Sequence, residues 1–270
     1  MGAAGPIGRA TTERMRSRGL RVVATARSGR LEPLDVSDDA QVLDVLARWR
    51  PRGVVYLASP VLTPSDADAR QRAVRALRDL ERFLHACAAN DVDRFVFASS
   101  AAVYGDASPR RLRESDPLLG TSAYADFKRR AEIAVGGSRL SGASLRLFNV
   151  YGPRCHASLI NRLVEGERPS LLMTSSFVRD YVDVRDVAEA IDAAVASPAL
   201  GPINVGTGIG IDNLLLAGWA RDEYAPVPGE GIHSFSVADA THAERVLGWT
   251  ARRRVESVWK SLDTTTRGWA

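Results

Sequence analysis

The stretch MGAAGPIGRATTERMRSRGLRVVATA (residues 1–26) combines three features that together decide the fold. Gly2, Gly5 and Gly8 are spaced by three, as in a glycine loop that binds the phosphates of a nucleotide. The residues that follow have the composition of a helix, and an apolar run typical of a buried β-strand comes next. Glycines let backbone N–H groups approach a phosphate, and the N-terminus of the following helix is electrically positive. This spacing alone is a weak signal, so the rest of the chain has to support it.

The same alternation of helix and strand continues along the chain. Apolar runs that predict strands lie at 20–26, 53–59, 94–100, 143–152 and 202–208. Stretches that predict the first three helices lie at 8–19, 38–50 and 68–90. Near-continuous apolar strands separated by helices are typical of a parallel sheet that is covered on both faces. The sequence therefore predicts an α/β fold of the Rossmann type, a doubly wound parallel sheet, in which ligands bind beyond the carboxyl ends of the strands.

The pattern also divides the chain into two parts. A chain of 270 residues is long enough for one large domain or two small ones. Residues 1–148 together with 180–206 are predicted to form a dinucleotide-binding domain. Residues 149–179 together with 207–270 are predicted to form a smaller, C-terminal substrate-binding lobe.

Composition and charge narrow the class of partner. The net charge of +4 comes from 36 basic and 32 acidic residues spread along the chain, so no face for nucleic acid is predicted. No apolar run approaches the roughly 20 residues that cross a bilayer, and the start lacks the layout of a signal peptide. Cys87 and Cys155 have neither disulfide nor metal-ligand spacing, and the histidines are scattered, so no metal site is expected. We therefore expect a cytoplasmic protein without membrane or nucleic-acid partners.

The segment SAYADFK (122–128) places a phenol and an amine on one face of a predicted helix. Tyr124 and Lys128 are four residues apart, which is about one helical turn. A lysine cation beside a phenol favours the phenolate and lowers its pKa, which suits proton transfer at a carbonyl or alcohol carbon. The alternative is an exposed pair without function, because Tyr-x-x-x-Lys often occurs by chance.

The segment FASSAAVYG (97–105) ends a predicted strand with consecutive hydroxyl groups. Ser100 is suited to bind the same substrate oxygen to which Tyr124 delivers a proton. The alternative is that Ser99 and Ser100 only terminate the strand and cap a turn. The tyrosine–lysine pair further along the chain favours the catalytic interpretation.

These segments occur in an order that resembles one known group of enzymes. The matching segments are GAAGPIG (2–8), SSAAVYG (99–105), Tyr124 with Lys128, RLFNVYGPR (146–154), RDYVDVRDVAEAI (179–191) and INVGTG (203–208). On these segments the chain resembles the extended short-chain dehydrogenases/reductases of the NAD-dependent epimerase/dehydratase group, and the resemblance spans nearly the whole chain. It implies an enzyme with a nicotinamide cofactor, most often a nucleotide-sugar substrate, and a homodimer formed through long helices.

The resemblance also assigns roles to individual residues. It implies catalytic roles for Ser100, Tyr124 and Lys128, with Lys128 also holding the nicotinamide ribose. It implies that the cofactor is bound by Gly2, Gly5, Pro6, Ile7, Gly8, Arg27, Asp35, Val36, Leu57, Ala58, Ser59, Tyr124 and Lys128. It implies that the substrate is bound by Ser100, Ala101, Tyr124, Asn149 and Arg179. Arg179 would grip the diphosphate of a nucleotide sugar; the alternative is a surface ion pair with Asp180 or Asp183.

The end of the second strand bears on the choice of cofactor. NAD-binding members usually carry an acidic residue there, whereas this chain has Ala26 followed by Arg27 and Ser28. A guanidinium and a hydroxyl suit a 2′-phosphate, with Arg30 as a further candidate contact, so NADP(H) is favoured and NAD is the alternative. The alternative to this role is that Arg27 is only a solvated loop residue. Asp35 matches an aspartate that contacts adenine in the family; its alternative is a turn or N-cap residue.

Two further features indicate the reaction. The 4,6-dehydratases that the chain resembles carry an acidic pair where Ala101 and Ala102 stand here, so a dehydratase is disfavoured. The short stretch 28–59 resembles that of dTDP-4-dehydrorhamnose reductases and GDP-fucose synthases. We therefore expect NADPH-dependent reduction of the 4-keto group of an NDP-4-keto-6-deoxyhexose, as in deoxysugar biosynthesis. The alternatives are an NAD-dependent NDP-hexose 4-epimerase, a non-catalytic nucleotide-binding regulator, and a ketone reductase whose substrate carries no nucleotide.

The sequence departs from the family pattern in two places. Only Met1 precedes the glycine loop, where the fold's first strand belongs, in the middle of the sheet. Each buried backbone group without a partner costs about 1–3 kcal/mol, which is large against a domain stability of about 5–15 kcal/mol. We expect the natural start to lie upstream, with a substitute strand or a damaged cofactor site as the alternatives. The chain also has Ala76 near the place where family members usually carry an asparagine.

Overall fold

The structure is a computed structural model that describes residues 1–60, 62, 67–106, 110–220 and 224–262, with side chains as far as residue 259. The helices are α1 (Pro6–Ser17), α2 (Asp39–Trp49), α3 (Ala69–Ala89), α4 (Ala123–Gly136), α5 (Leu159–Val164), α6 (Val184–Ala196), α7 (Asn213–Ala220), α8 (Thr241–Leu247) and α9 (Glu256–Leu262). The strands are β1 (Thr25–Ala26), β2 (Glu32–Pro33), β3 (Gly53–Tyr56), β4 (Arg94–Ser100), β5 (Ser141–Leu147), β6 (Asn149–Tyr151), β7 (Ser170–Met173), β8 (Phe177–Asp183), β9 (Gly201–Val205), β10 (Gly210–Asp212), β11 (Ala225–Pro228) and β12 (Ser234–Ser236). Within these residues no helix combines the length and the apolarity needed to cross a bilayer.

The main sheet has the strand order β3-β4-β5-β9, and these strands run parallel. Its two central strands are buried on both faces, and Phe95, Phe97 and Leu145 are fully shielded from solvent. One face packs on α2, α3 and α4, and the other on α6, which in turn packs on α1. Burial of apolar side chains at about 25 cal/mol per Å² is the main force that holds these layers together. The predicted doubly wound α/β fold is confirmed, and the first three helices begin and end within two residues of their predicted limits.

Local signals position the elements that carry the predicted catalytic residues. β4 ends at Ser100, whose Oγ accepts a hydrogen bond from the Ala102 N–H (3.2 Å) and starts a turn of 3-10 helix. Ser122 is the N-cap of α4, and its Oγ accepts from the Ala125 N–H (3.1 Å). A cap of this kind offsets an unpaired donor of the first turn and fixes where the helix begins. Tyr124 therefore lies in the first turn of α4, close to the end of β4.

A second, smaller sheet has the order β10-β8-β12, and β6 also pairs with β8. Asp180 on β8 is fully buried and joins this sheet to the chain after β9. Its carboxylate accepts hydrogen bonds from the Thr207 N–H (2.8 Å), the Thr207 hydroxyl (2.6 Å), the Gly208 N–H (2.9 Å) and the Ala238 N–H (3.2 Å). Burial raises the pKa of this carboxyl, and these hydrogen bonds oppose the rise. Asp180 thus fixes the second sheet against the carboxyl end of the main sheet.

The first residues of the chain lie between β3 and β1. The Met1 amino group donates a hydrogen bond to the Val55 carbonyl oxygen (2.7 Å), and the Leu57 N–H donates to the Met1 carbonyl oxygen (3.1 Å). On the other side, the Ala3 N–H donates to the Thr25 carbonyl oxygen (3.0 Å). Burial lowers the pKa of the Met1 amino group to about 6. Part of the backbone pairing that the sequence leads us to expect from a first strand is therefore supplied by Met1 and by Ala3 of the glycine loop.

The strand predicted at 20–26 is shorter in the structure. Only β1, Thr25–Ala26, forms a ladder, and its partner is β2. Leu20 is 43% exposed, although it belongs to the predicted apolar run. The physical reason is that a strand needs a neighbour to exchange hydrogen bonds with, and Ala3 reaches this segment only at Thr25.

Candidate active site

The glycine loop is folded so tightly that side chains are excluded at two of its positions. Gly2 has a φ of +74°, and a Cβ there would lie 3.0 Å from the Ala58 backbone nitrogen. A Cβ on Gly8 would lie 2.6 Å from the Ala3 Cα and closer still to the Gly2 carbonyl oxygen. A positive φ and a close approach between backbone segments are the two situations that require glycine.

The start of α1 offers backbone donors suited to an anion. Gly5 is the N-cap and contributes no side-chain hydrogen bond, and Pro6 at the first position supplies a φ that suits a helix. The Arg9 N–H donates to the Gly5 carbonyl oxygen (2.9 Å), which leaves Ile7 and Gly8 in the first turn, before the intrahelical bonds begin. A helix N-terminus of this kind binds a phosphate through its N–H groups and its dipole.

A cavity of about 850 Å³ lies at the carboxyl ends of β1 and β3. The predicted cofactor-binding residues that line it are Gly2, Gly5, Arg27, Asp35, Val36, Leu57, Ala58 and Ser59. Pro6, Ile7, Gly8, Tyr124 and Lys128 do not line it. Pro6, Ile7 and Gly8 shape the first turn of α1, where Ile7 packs on the core. Ala76 also lines the cavity, so a methyl group stands near the place of the family's asparagine. The volume, the position beyond the strand ends and the adjacent helix N-terminus fit a dinucleotide.

Arg27 and Asp35, the two charged residues among the predicted cofactor contacts that line this cavity, interact with each other electrostatically. The Asp35 carboxylate accepts hydrogen bonds from the Ser37 N–H (3.0 Å) and the Ser37 hydroxyl (2.8 Å). These bonds lower the pKa of Asp35, and the charge of Arg27 acts in the same direction. Asp35 therefore both closes a turn and lines the cavity, while the N-cap of α2 is Asp38.

The Tyr124 hydroxyl lies where the predicted catalytic groups meet. It interacts with the side chains of Ser100 and Ser59, which come from the ends of β4 and β3. Burial raises the pKa of the Tyr124 phenol, and the interactions with both serines oppose the rise. We expect Lys128 to lower the pKa of Tyr124, whereas desolvation of the phenol raises it, so the two effects oppose each other.

Lys128 is buried beneath the tyrosine ring and is 2% exposed. Its Nζ donates a hydrogen bond to the Ala98 carbonyl oxygen (2.7 Å) and lies 5.5 Å from the centroid of the Tyr124 ring. Burial lowers the pKa of the amine to about 7, and the charge of Glu132 opposes this effect. The alternative of an exposed helix pair is wrong, because the lysine is enclosed by the protein.

A second pocket of about 490 Å³ lies on the other side of the Ser100 hydroxyl. It is lined by Ser100, Ala101, Ala102, Leu119, Phe148, Asn149 and Arg179, among others. The Asn149 amide donates to the Asp180 carbonyl oxygen (3.1 Å), which anchors its side chain on β8. The two alanines next to Ser100 bring methyl groups and no titratable group to this pocket.

Arg179 is held in the second pocket by partners that differ from those considered as the alternative. Its guanidinium lies 3.8 Å from the centroid of the Phe177 ring, and Nη2 donates to the Ser234 hydroxyl (2.7 Å) and to the exposed Asp106 carboxylate (3.2 Å). Asp183 pairs instead with Arg185 (2.9 Å). The alternative of an ion pair with Asp180 or Asp183 is therefore wrong. Burial lowers the pKa of Arg179.

Several residues of the site were missed by sequence reasoning. Phe177 and Arg179 are two positions apart on β8 and share one face of the strand, so their contact was open to prediction from periodicity. Ser234 lies on the three-residue strand β12, which is too short and polar to be recognised. Arg72 and Arg75 line the first cavity from α3, and nothing in their local sequence separates them from the other arginines of that helix.

The fold and the two pockets define a class: a Rossmann-type protein with a dinucleotide-sized cavity beside a serine, a tyrosine and a lysine. The sequence profile of the NAD dependent epimerase/dehydratase family matches residues 1–206. The chain therefore belongs to this family, as the sequence segments predicted. The prediction of an NAD(P)-dependent oxidoreductase or epimerase is confirmed at this level.

Three similar proteins illustrate the range of the family. The dTDP-6-deoxy-L-talose 4-dehydrogenase (NAD(P)(+)) of Kitasatospora kifunensis is 30% identical over 300 residues, which cover 98% of this chain and 93% of the relative. The UDP-glucose 4-epimerase of Thermus thermophilus, solved in complex with NAD, has a TM-score of 0.79 at 29% identity and covers 97% of this chain and 96% of its own. MoeE5, solved in complex with UDP-glucuronic acid and NAD, has a TM-score of 0.80 at 27% identity, with coverage of 96% and 95%. The Rossmann-type fold is thereby confirmed.

Proposed function

We propose that the protein is a nucleotide-sugar 4-ketoreductase, which interconverts the 4-keto and 4-hydroxy forms of an NDP-6-deoxyhexose with NADP(H) as the favoured cofactor. The observation that carries the proposal is that Tyr124 interacts with Ser59, which lines the first cavity, and with Ser100, which lines the second. The relative at 30% identity is a 4-dehydrogenase of a dTDP-6-deoxy sugar by name, and oxidation of a 4-hydroxyl is the reverse of 4-keto reduction. The methyl groups of Ala101 and Ala102 leave a dehydratase without its acid–base pair.

The chain's own residues account for the proton chemistry. Ser100 and Tyr124 together bind the carbonyl oxygen of the substrate, and the Tyr124 hydroxyl gives that oxygen its proton during reduction. A nicotinamide cofactor, when bound in the first cavity, supplies the hydride. Lys128 holds a positive charge beside the ring and stabilises the phenolate that remains. Arg179 and Asn149 bind the nucleotide-sugar portion in the second pocket, where a guanidinium fork suits a diphosphate.

The direct test is the loss of NADPH absorbance when the purified protein meets dTDP-4-keto-6-deoxyglucose. Turnover of this substrate, with the cofactor exchanging on each cycle, would support the 4-ketoreductase. Absence of turnover together with interconversion of UDP-glucose and UDP-galactose would contradict it.

The second candidate is an NAD-dependent NDP-hexose 4-epimerase. The likeness to the Thermus thermophilus epimerase favours it, because that protein matches nearly the whole chain. An epimerase uses the same Ser100, Tyr124 and Lys128 but returns the hydride to the opposite face of the sugar. NAD released on denaturing the purified protein, at close to one equivalent per chain, would favour this candidate over the reductase.

Two further hypotheses are separated by simple controls. A non-catalytic nucleotide-binding regulator would bind the cofactor but show no turnover with any 4-keto sugar. A ketone reductase without a nucleotide handle would reduce simple ketones as well as nucleotide sugars. The intact serine, tyrosine and lysine argue against the regulator, and the half-buried Arg179 in the second pocket argues against the simple ketone reductase.

The preference for NADP(H) rests on Arg27. We expect Arg27→Ala to lower kcat/KM with NADPH by about 10- to 100-fold, because a charge-assisted hydrogen bond contributes about 1.5–3 kcal/mol. The value with NADH is expected to change less than about twofold, since NADH lacks the 2′-phosphate. Steady-state kinetics with both cofactors measure this. Arg30→Ala is the matched control with a smaller expected loss, because Arg30 does not line the cavity. An equal loss with both cofactors would refute the role of Arg27.

A homodimer is part of the proposal, through the surface formed by α3 and α4. These helices pack on each other and expose Val74 (52%) and Ile133 (70%). Apolar side chains this exposed on two adjacent long helices suit an interface between two copies.

We expect Ile133→Glu to weaken the dimer at least about 100-fold, because a twofold interface presents the buried charge twice. Sedimentation velocity at micromolar protein measures the change. Leu200→Glu, at a position 62% exposed outside these helices, is the control and is expected to remain dimeric. A wild type that is monomeric at these concentrations contradicts the dimer.

The division of the chain and its location complete the proposal. We assign dinucleotide binding to 1–148 with 180–206, because the main sheet and the first cavity are built from these residues, and substrate binding to 149–179 with 207–270.

A reducing, cytoplasmic setting is supported by Cys87 and Cys155, which are both buried free thiols.

A further inference from the structure

A buried network of charged and polar side chains lies beneath the candidate active site. Glu132 is on α4, one turn beyond Lys128 and two turns beyond Tyr124, so the three share one side of the helix. The Glu132 side chain is 8% exposed. Its Oε1 accepts a hydrogen bond from the hydroxyl of Ser99, which is the neighbour of Ser100 at the end of β4. Glu132 therefore lies on the helix that carries two candidate catalytic groups and contacts the strand that carries the third.

Arg146 balances the charge of Glu132 from the next strand. It is on β5 in register with Ser99, and its side chain is 3% exposed. Nε donates to both Glu132 oxygens (3.0 and 3.2 Å), and Nη2 donates to Oε2 (2.7 Å). Nη1 donates to the Tyr104 hydroxyl (2.8 Å) and to the Glu114 carbonyl oxygen (3.0 Å). A buried ion pair is by itself weak evidence for stability, so its position below the site points to another role.

Lys128 is the residue of the candidate active site whose positive charge this network supports. Its amine is enclosed by protein, where desolvation favours the neutral form, and the Glu132 carboxylate is the opposing negative charge. Within the described part of the chain, the charged or titratable groups that meet this pair are Tyr124 on α4 itself, Arg146 of β5 and, through Arg146, Tyr104 of the 3-10 helix. β4 contributes the hydroxyl of Ser99 and the carbonyl of Ala98.

We infer that Glu132 is a positioning residue for the proposed reaction: its carboxylate keeps Lys128 protonated beneath the Tyr124 ring and, through Ser99, holds the end of β4 that carries Ser100. Arg146 keeps this carboxylate ionised and fixes its orientation. The inference rests on the proposed function where it concerns turnover. The charge of Lys128, in contrast, is measurable without any substrate.

Lys128 and Lys260 are the chain's two lysines, which makes the test unusually direct. Protein labelled with ε-¹³C lysine gives two lysine signals, and Lys260→Arg assigns them. We expect Lys128 in Glu132→Gln to titrate at least about one pH unit below its wild-type value, and in Glu132→Asp to stay closer to wild type, because the charge is retained. An unchanged titration of Lys128 in Glu132→Gln overturns the inference.

The single variant leaves Arg146 buried without its counter-charge, which is strongly destabilising and can prevent folding. In that case Glu132→Gln combined with Arg146→Gln removes both charges of the pair. Loss of the Arg146 cation favours protonation of Lys128, so the downward shift of the Lys128 titration is expected to be smaller than in Glu132→Gln but to keep its direction, because Glu132 is the charge that acts on Lys128. A Lys128 titration that is unchanged or shifted upward in this variant counts against the inference.

Kinetics supply the second readout. Above its pKa the protonated fraction of an amine falls tenfold per pH unit, so at pH 8 we expect Glu132→Gln to lower kcat roughly tenfold with KM for the nucleotide sugar unchanged. The deficit is expected to narrow as the pH falls toward about 5.5, where both proteins hold a protonated Lys128. A loss by the same factor at every pH is the result of a purely structural role and overturns the inference. If the wild type reduces no 4-keto sugar, the proposed function fails, whereas the titration of Lys128 still decides whether Glu132 holds its charge.

Discussion

Replacement of Tyr124 by phenylalanine is expected to lower kcat for 4-keto reduction by roughly 10²- to 10⁴-fold, which is the contribution typical of a positioned general acid. The variant removes the hydroxyl that interacts with Ser100 and Ser59 and keeps the ring that covers Lys128. The loss is therefore expected in the chemical step. KM for the nucleotide sugar should change little, because Arg179 and Asn149 are untouched. NADPH absorbance at saturating substrate measures the effect.

The same deletion outside the site is the matched control for this prediction. Tyr224→Phe removes a phenol hydroxyl from the cluster around α7 and α9 and is expected to keep wild-type kcat. Calorimetric titration with NADPH should give the same affinity for wild type and Tyr124→Phe. A Tyr124→Phe protein that retains more than about a tenth of the activity would assign proton transfer to another group.

Gly8→Ala is expected to weaken NADPH binding by about 100-fold and to destabilise the fold by roughly 1–3 kcal/mol, as overpacking in a tight core does. A Cβ at this position would lie 2.6 Å from the Ala3 Cα and closer still to the Gly2 carbonyl oxygen. Both are backbone atoms, which cannot rotate away as a side chain can. The loop must therefore open, which displaces Gly2 from the cavity wall and shifts the first-turn N–H groups of α1. Fluorescence titration with NADPH and thermal melting measure the two effects.

Gly5→Ala is the control for this second prediction, because it lies in the same loop. A Cβ there has its nearest neighbour, the Gly2 carbonyl oxygen, at 3.8 Å, which is an ordinary contact. We expect this variant to melt close to the wild type. If Gly8→Ala has the same melting temperature and the same affinity for NADPH as Gly5→Ala, the loop is less rigid than its packing indicates.

The parts of the fold that the sequence predicted are those with strong local signals. The periodic pattern of α3 and the near-continuous apolar runs of β4 and β5 each depend on residues close together in the chain. The same holds for the pairing of Tyr124 with Lys128, which is one turn of helix. The glycine loop was recognisable because its tight packing admits no side chain at Gly2 or Gly8.

The features that were missed depend on contacts between distant parts of the chain. The run 20–26 is apolar enough for a strand. Few of its residues form a regular strand, however, because Ala3 hydrogen-bonds to this run only at Thr25. The partners of Arg179 come from β12 and from the turn after the 3-10 helix, which no local pattern connects to β8. The Glu132–Arg146 pair joins α4 to β5, and each residue alone is an ordinary charge in its own segment. Pairing of this kind is decided by topology, so it is visible only in three dimensions.

Arg179 and Asp180 are consecutive on β8, and their side chains leave opposite faces of the strand. One is held in the second pocket by Ser234 and Phe177, and the other fastens β8 to Thr207, Gly208 and Ala238. One strand therefore carries both the arginine of the second pocket and the carboxylate that joins the two sheets. A substitution that moves the β8 backbone to reshape the pocket also disturbs the contact between the sheets, so redesign of this pocket has to leave β8 itself in place.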